Sequence, residues 1–502
     1  MKNHPRSSAF ICVMRHPVAT SFFCKKLAVF PSFSHIRVGF LLLIVFSLLS
    51  CSKKPSPEEI EARRLMELAR LEEAIQNAKN AAISEYVSSL SDEVKISQLF
   101  LVNIEGNQKY SAVEKTGSLY GKAGEGNPLV PGGVLLFSYN ISKDPLETYE
   151  YIKSIRDFYL ENENLPPYVA VDQEGGDVNR LRGLTSVLWA QKKVADSFSL
   201  EGASALYSAQ ARQMKNLGFH MNLAPVVEVL TEKNRDFLDT RSFGNLEAVL
   251  SYGEIAINSY EEKGIAVVLK HFPGNSNADP HIGLPKITYS ASDYDSYFKP
   301  FEVLLPKASA LLMSHAIMKE DKDLSAGEIF PPEDSDVPAC FSRHWIRDVA
   351  KNQYKFDGLI FSDDIFMGAL SKNGYPPEKA ALEAIKAGVD VIMLSEKRFG
   401  GVAGILLSKA KEDPDFAKEI NRAAENVIRY KIKAGILEMI EMDDGAGEYS
   451  ELKDSPFQKN DEKIPSFSVG VKHDYADFDL YRFNEDYKAG MKAFEMSKND
   501  AF

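Results

Sequence analysis

Eight short, predominantly apolar runs recur along the middle of this chain, and they restrict its fold more than any other feature. They fall at residues 98–102, 133–137, 168–171, 221–226, 265–269, 310–314, 358–361 and 389–394. Each is rich in Val, Ile, Leu or Phe, and a longer stretch of helical character separates each from the next. A strand that faces water on one side alternates apolar with polar residues. An unbroken apolar run is covered on both faces, as in a parallel sheet. Strand–helix alternation of this kind builds βαβ units. Eight units over about 340 residues suit one closed (β/α)8 barrel, a TIM-type α/β fold with insertions. An open doubly wound sheet fits less well, because no GxGxxG loop follows the first run. With 44% of its residues apolar, the chain can fill such a core.

The two ends differ from the middle. Residues 1–50 hold no Asp or Glu but contain Lys2, Arg6, Arg15, Lys25, Lys26 and Arg37. After Arg37 comes an apolar run to Phe46, then Ser47-Leu48-Leu49-Ser50-Cys51. A basic flank, a short apolar core and small residues before a break form the pattern of a secretory signal. The core is short for a membrane span. Leu48-Leu49-Ser50-Cys51 is similar to the bacterial lipobox. That similarity implies cleavage before Cys51, lipidation of that residue, and an exported lipoprotein anchored to a membrane, periplasmic or at the cell surface. The other reading is an uncleaved anchor ending in a buried Cys. Cleavage would remove Cys12 and Cys24, leave Cys340 as the only unmodified cysteine, and carry the formal charge from -12 to -18. No intrachain disulfide could then form, and the acidic balance argues against a nucleic-acid partner.

Residues 51–92 read as a tether and a helix from Glu58 to about Ser88, with Leu65, Leu68, Leu71 and Ile75 at helical spacing. Residues 93–440 would be the barrel, with a last helix at 416–437. Residues 441–502 form an acidic, aromatic extension that either wraps the barrel or lacks fixed structure. A monomer is expected.

In a barrel the chemistry belongs at the C-terminal ends of the strands, which gives the reading a test. Asp172-Gln173-Glu174-Gly175-Gly176 follows the third run. Lys270-His271-Phe272-Pro273-Gly274 and Asp279-Pro280-His281 follow the fifth, His315 the sixth, and Ser362-Asp363-Asp364 the seventh. Polar groups therefore gather in register. A carboxylate such as Asp363 in a pocket can attack an anomeric carbon; alternatively Asp363 or Asp364 caps the next helix, and Asp364 is the better placed. Asp279 can orient His281 for proton transfer, or the two can simply make a solvated turn. Lys270 beside His271 is awkward to bury without a partner. His271, His281, His315, Asp172 and Asp363 could also ligate zinc, but neither His-x-His after the first strand nor HExxH occurs; no metal and no cofactor is expected.

Taken together, Val171-Asp172-Gln173-Glu174-Gly175-Gly176, Asp239-Thr240-Arg241-Ser242-Phe243-Gly244, Lys270-His271-Phe272-Pro273-Gly274 and Ile360-Phe361-Ser362-Asp363-Asp364-Ile365-Phe366-Met367 resemble glycoside hydrolase family 3, in particular its bacterial β-N-acetylglucosaminidases that act on peptidoglycan fragments. The resemblance spans about Val94 to Leu437. It implies a retaining, exo-acting β-N-acetylhexosaminidase with Asp363 as nucleophile, His281 supported by Asp279 as acid/base, and Asp172, Arg180, Arg241, Lys270 and His271 holding the terminal sugar. Three departures stand out: Asn275-Ser276 replaces the usual His-Gly and the loop to Asp279 is shorter, Asp177 replaces an Arg, and Glu228 replaces an Asp. Two other readings remain. A β-glucosidase or β-xylosidase of the same family would use a Glu acid/base outside the barrel, for which the stretch after Leu437 is short. A lipid-anchored, non-catalytic glycan-binding protein is allowed by the altered loop but opposed by Asp363 and His281.

Overall fold

The computed structural model describes residues 56–110, 130–321, 336–395, 398–442 and 464–499; Cys51 and the signal-like segment lie outside them. The chain divides into two compact units, residues 1–70 and 71–502. The described part of the first is the start of the helix Pro57–Ser89, one residue longer at each end than expected. No helix among the described residues is long and apolar enough to cross a membrane.

In the second unit every one of the eight apolar runs carries a strand. These are β1 (Phe100–Asn103), β2 (Gly133–Leu136), β3 (Tyr168–Val171), β4 (Met221–Asn222), β5 (Ala266–Phe272), β6 (Ala310–Met313), β7 (Leu359–Ser362) and β8 (Ile392–Leu394). They pair in parallel and in chain order from β1 to β7, and β8 lies beside β1. An isolated parallel bridge joins Phe361 of β7 to Val391, next to β8, and Ser362 N donates to Val391 O at 2.9 Å. The sheet thereby closes into the expected barrel.

Because successive strand residues point to opposite faces, the barrel has two cores. Leu101, Tyr168, Ala170, Val268, Leu312 and Phe361 fill the interior, whereas Phe100, Val102, Val169, Val267, Leu311 and Ile360 pack against the helices. The mouth where the strands begin is plugged. Tyr430, from the helix Pro414–Lys433, meets Tyr168 edge to face at 5.3 Å. The buried Lys431 Nζ donates to Gln98 Oε1 at 2.6 Å and to Pro166 O at 2.7 Å, just ahead of β1 and β3. The opposite mouth is left for chemistry.

The C-terminal part departs from expectation. The last barrel helix stops at Lys433, because Gly435 turns at φ 73° and Ile436 N bonds back to Lys431 O at 2.9 Å, closing the helix in a Schellman turn. Leu437–Met442, whose first residue marks the outer limit of the expected helix, is a strand paired antiparallel with Ser466–Val471. The helix Leu480–Asn499 then lies along the helix Leu200–Asn216. Arg212 pairs with Asp486, and the Phe494 ring meets Trp189 at 4.7 Å. The described part of the extension therefore wraps the barrel.

Candidate active site

The strand ends of β3 and β5 meet in a locked set of charges. Asp172 is the first residue beyond β3. The chain then folds back as a short hairpin, Gln173–Gly175 with Val178–Asn179, which turns Glu174 inward. Gly175 and Gly176 make this possible: both have positive φ, 96° and 58°, and a Cβ on Gly175 would lie 2.1 Å from Trp189 O. Lys270 Nζ donates to Asp172 Oδ1 at 2.7 Å and lies 2.6 Å from Glu174 Oε1. Arg241 grips Glu174 with two bonds of 2.9 Å; it is delivered by a 3-10 turn, Asp239–Arg241, whose first residue tolerates φ 42°. Arg180 lies 3.9 Å from Asp172 and over the Phe137 ring at 5.2 Å.

Burying a lone charge costs several kcal/mol, so such ions persist only when paired and hydrogen-bonded. Here the pairing dominates. Burial pushes the Glu174 carboxyl up, but Lys270 and Arg241 outweigh it and bring it down to about 2. Burial likewise pulls Lys270 down, and Asp172 and Glu174 more than restore it, so the ammonium stays charged. The side chains divide by exposure. Glu174 and Lys270 keep only 1% and 5% of their surface, while Asp172, Arg241 and Arg180 keep 21%, 24% and 28%. The first two lock the set; the other three, and Lys270 through its small remaining exposure, can still reach hydroxyl groups of a ligand.

His271 stands next to this floor. Its backbone N–H donates to Glu228 Oε1 at 3.2 Å, and its Nδ1 lies 2.7 Å from the same oxygen. Asn275 Nδ2 adds a third bond, at 3.1 Å. Two of the departures from the family pattern, Glu228 and Asn275, are therefore in direct contact.

Asp363 is the first residue beyond β7 and is 8% exposed. Its N–H donates to Met313 O of β6 at 3.2 Å, and its Oδ1 accepts from Asp364 N at 2.8 Å. Neither aspartate caps a helix. The helix Gly368–Ser371 begins without a side-chain cap, and Asp364 Oδ1 instead holds the turn, accepting from Phe366 N at 3.0 Å and Ser395 N at 3.1 Å. Below it, the buried His315 bonds through Nε2 to Asp364 O at 3.0 Å and through Nδ1 to the Cys340 Sγ at 3.3 Å. Burial, then the charge of Asp363, pushes the Cys340 thiol up, so a neutral S–H donates to Nδ1.

Asp279 and His281 form the expected pair, but on the outside of the loop. His281 Nδ1 and N both lie 2.8 Å from Asp279 Oδ1, and the side chains are 69% and 48% exposed. The His281 N–H, ahead of other effects, lowers the Asp279 pKa. The loop is pinned by its backbone. Asn277 N donates to Lys233 O at 2.8 Å, and Ala369 N donates to Pro280 O at 3.1 Å. A Cβ on Gly368 would meet the His281 carbonyl at 2.4 Å. The turn that follows Asp363 is thus the seat of the His281 loop.

Sequence reasoning did not assign Glu174, Glu228 and Asn275 to the site. Each is a charged or amide residue next to a motif and becomes buried, and the proximity of Glu174 to Asp172 was the available signal. A cleft of about 870 Å³ elsewhere, lined in part by Arg347, Lys351 and Arg422, holds none of the expected residues. Arg347, Lys351 and Arg422 already pair with Glu419 and Asp390.

Comparison with known proteins agrees with this geometry. Residues 93–430 match the Glycosyl hydrolase family 3 N terminal domain. A β-hexosaminidase of Tolumonas auensis is 30% identical over 285 residues, covering 54% of this chain and 78% of that protein. One from Actinobacillus pleuropneumoniae is 31% identical over 288 residues, covering 55% and 76%. Among solved structures, a family 3 β-N-acetylglucosaminidase from Paenibacillus sp. superposes with a TM-score of 0.63 at 21% identity, covering 82% of this chain and 69% of that one. A β-N-acetylhexosaminidase from Beutenbergia cavernae gives 0.58 at 24% identity, covering 68% and 99%. With more than half its length matched and the strand-end groups where that barrel needs them, the chain belongs to glycosyl hydrolase family 3.

Proposed function

We propose that this protein is a retaining, exo-acting β-N-acetylhexosaminidase that removes terminal β-linked N-acetylglucosamine, with peptidoglycan-derived fragments as its natural glycans. The observation that carries the reading is the Asp279–His281 pair seated on the turn that follows Asp363. It supplies an acid/base from within the barrel, which a β-glucosidase of the alternative kind would take from elsewhere.

In this reading Asp363 attacks the anomeric carbon as His281 gives its proton to the leaving oxygen, and a covalent glycosyl–Asp363 ester forms. His281, now neutral, takes a proton from water, whose oxygen attacks the same carbon and releases the sugar with its configuration retained. Asp279 occupies Nδ1, so Nε2 is the nitrogen that exchanges the proton. Asp172, Arg180, Arg241, Lys270 and His271 hold the sugar. The relatives named β-hexosaminidase support this assignment.

The test offers purified protein nitrophenyl β-N-acetylglucosaminide, β-glucoside and β-xyloside. Turnover of the first alone, reduced by about 10⁴-fold or more in Asp363→Asn, is expected. Preference for the glucoside would overturn it. The lipoprotein reading, with membrane attachment through Cys51 and a monomeric catalytic unit, belongs to the same proposal. Labelled palmitate should enter the wild-type chain and not Cys51→Ala.

A further inference from the structure

A buried carboxylate with one crowded oxygen and one empty one sits behind the sugar-binding floor. Glu228 is 2% exposed. Its Oε1 receives the His271 N–H, the His271 Nδ1 and the Asn275 Nδ2, at 3.2, 2.7 and 3.1 Å. Its Oε2 is buried without a hydrogen-bond partner among the described residues. Such asymmetry is costly, because an unsatisfied buried acceptor loses its hydration, and a carboxylate kept only for packing would turn to share its donors between both oxygens.

The backbone explains how Glu228 arrives there. Val226 bridges to Lys270, and Val227 N donates to Lys270 O at 3.1 Å. The chain beyond β4 therefore runs alongside β5, and Glu228 falls opposite His271. The buried Ser242 Oγ fixes its carbonyl at 2.6 Å. The His271 ring also lies 6.0 Å from Phe237, whose face carries Arg241 at 5.2 Å. The imidazole therefore meets both a carboxylate and an aromatic ring that Arg241 also lies over.

We propose that Glu228 and Asn275 act as a pair of positioning residues for His271. They bind Nδ1 inward as an N–H donor and present Nε2 to the terminal sugar. A longer carboxylate here reaches a shorter donor, Asn275, and the two residues compensate each other. Glu228 shortened to Asp can no longer reach Asn275 and His271 together, while a longer donor at 275 bridges that gap. This inference rests on the proposed role of His271 at the sugar.

Two measurements test it on the full chain. In ¹⁵N-histidine spectra, with the His271 signals identified by their loss in His271→Gln, His271 is expected as the Nδ1–H tautomer. An Nε2–H tautomer would overturn the proposal, and this readout stands even if no glycoside is turned over. In assays with nitrophenyl β-N-acetylglucosaminide, Glu228→Asp should raise KM about tenfold with kcat changed less than threefold. Adding Asn275→His should return KM to within about twofold of wild type. An unchanged KM in Glu228→Asp, or a double variant no better than the single one, would contradict the pairing. Should Glu228→Asp fail to fold, Asn275→Ala is read instead, with KM raised at least threefold expected and an unchanged KM contradicting the proposal.

Discussion

Two regions at the same end of the barrel solve opposite problems. The floor made by Asp172, Glu174, Arg241 and Lys270 is a closed set of charges, with Lys270 at 5% exposure. The Asp279–His281 pair is a single hydrogen-bonded couple on a loop, with His281 at 69% exposure. The floor is built before any ligand arrives, and its geometry is fixed by electrostatics in a low-dielectric setting. The loop is fixed by its backbone, through Pro280 and Gly368, and its imidazole remains in water. The contrast teaches that, in the proposed mechanism, binding and proton transfer fall to parts of very different burial.

Variants should separate the two. The largest effect on the fold is expected from Lys270→Met, which leaves Glu174 to Arg241 and Asp172 to the more distant Arg180. Breaking a buried set of this kind costs about 3–5 kcal/mol, so thermal unfolding should shift down by many degrees and activity should vanish with it. His281→Ala should lower kcat by about 10²–10³-fold, the share of a general acid/base, while the melting temperature stays within a degree. A joint loss of stability and rate in His281→Ala would erase the distinction. Gly368→Ala should come next. Its added methyl meets the His281 carbonyl, and displacement of the acid/base should reduce kcat by up to about 10²-fold with a stability loss of about 1 kcal/mol.

The last effect concerns pH. Glu174 titrates at about 2 in the folded chain against an ordinary value of 4.5. The unfolded chain therefore takes up this proton more readily. The stability that Glu174 contributes is complete above pH 4.5 and is lost as pH falls from there through 2. Glu174→Gln should flatten the melting temperature against pH in that window, and an unchanged slope would place the lock elsewhere.

Most of the barrel was legible because its strands are buried on both faces, and burial leaves an unbroken apolar signature. All eight runs became strands, and the polar residues that follow them came together at one mouth. What could not be read is pairing across the sequence. Glu174 meets Arg241 and Lys270 after gaps of 67 and nearly a hundred residues. Glu228 meets Asn275 after 47; two departures that looked like separate weaknesses are one contact. The C-terminal extension was legible in part. Phe467, Val469 and Val471 alternate as a strand does, and the buried Phe483, Asp486, Gly490 and Phe494 repeat at helical spacing. The helix expected over 416–437, with its end near Gly435, closes at Lys433, and Gly435 ends it by its conformation.

The division of labour between Asp363 and His281 is tested most directly by trapping the intermediate. A His281→Gly variant, given nitrophenyl β-N-acetylglucosaminide, has a leaving group that departs without an acid but lacks the base for the second step. Mass spectrometry of the quenched protein should find one N-acetylglucosaminyl unit esterified to Asp363. An adduct on another residue, or release of a sugar of inverted configuration with no adduct, would contradict the account.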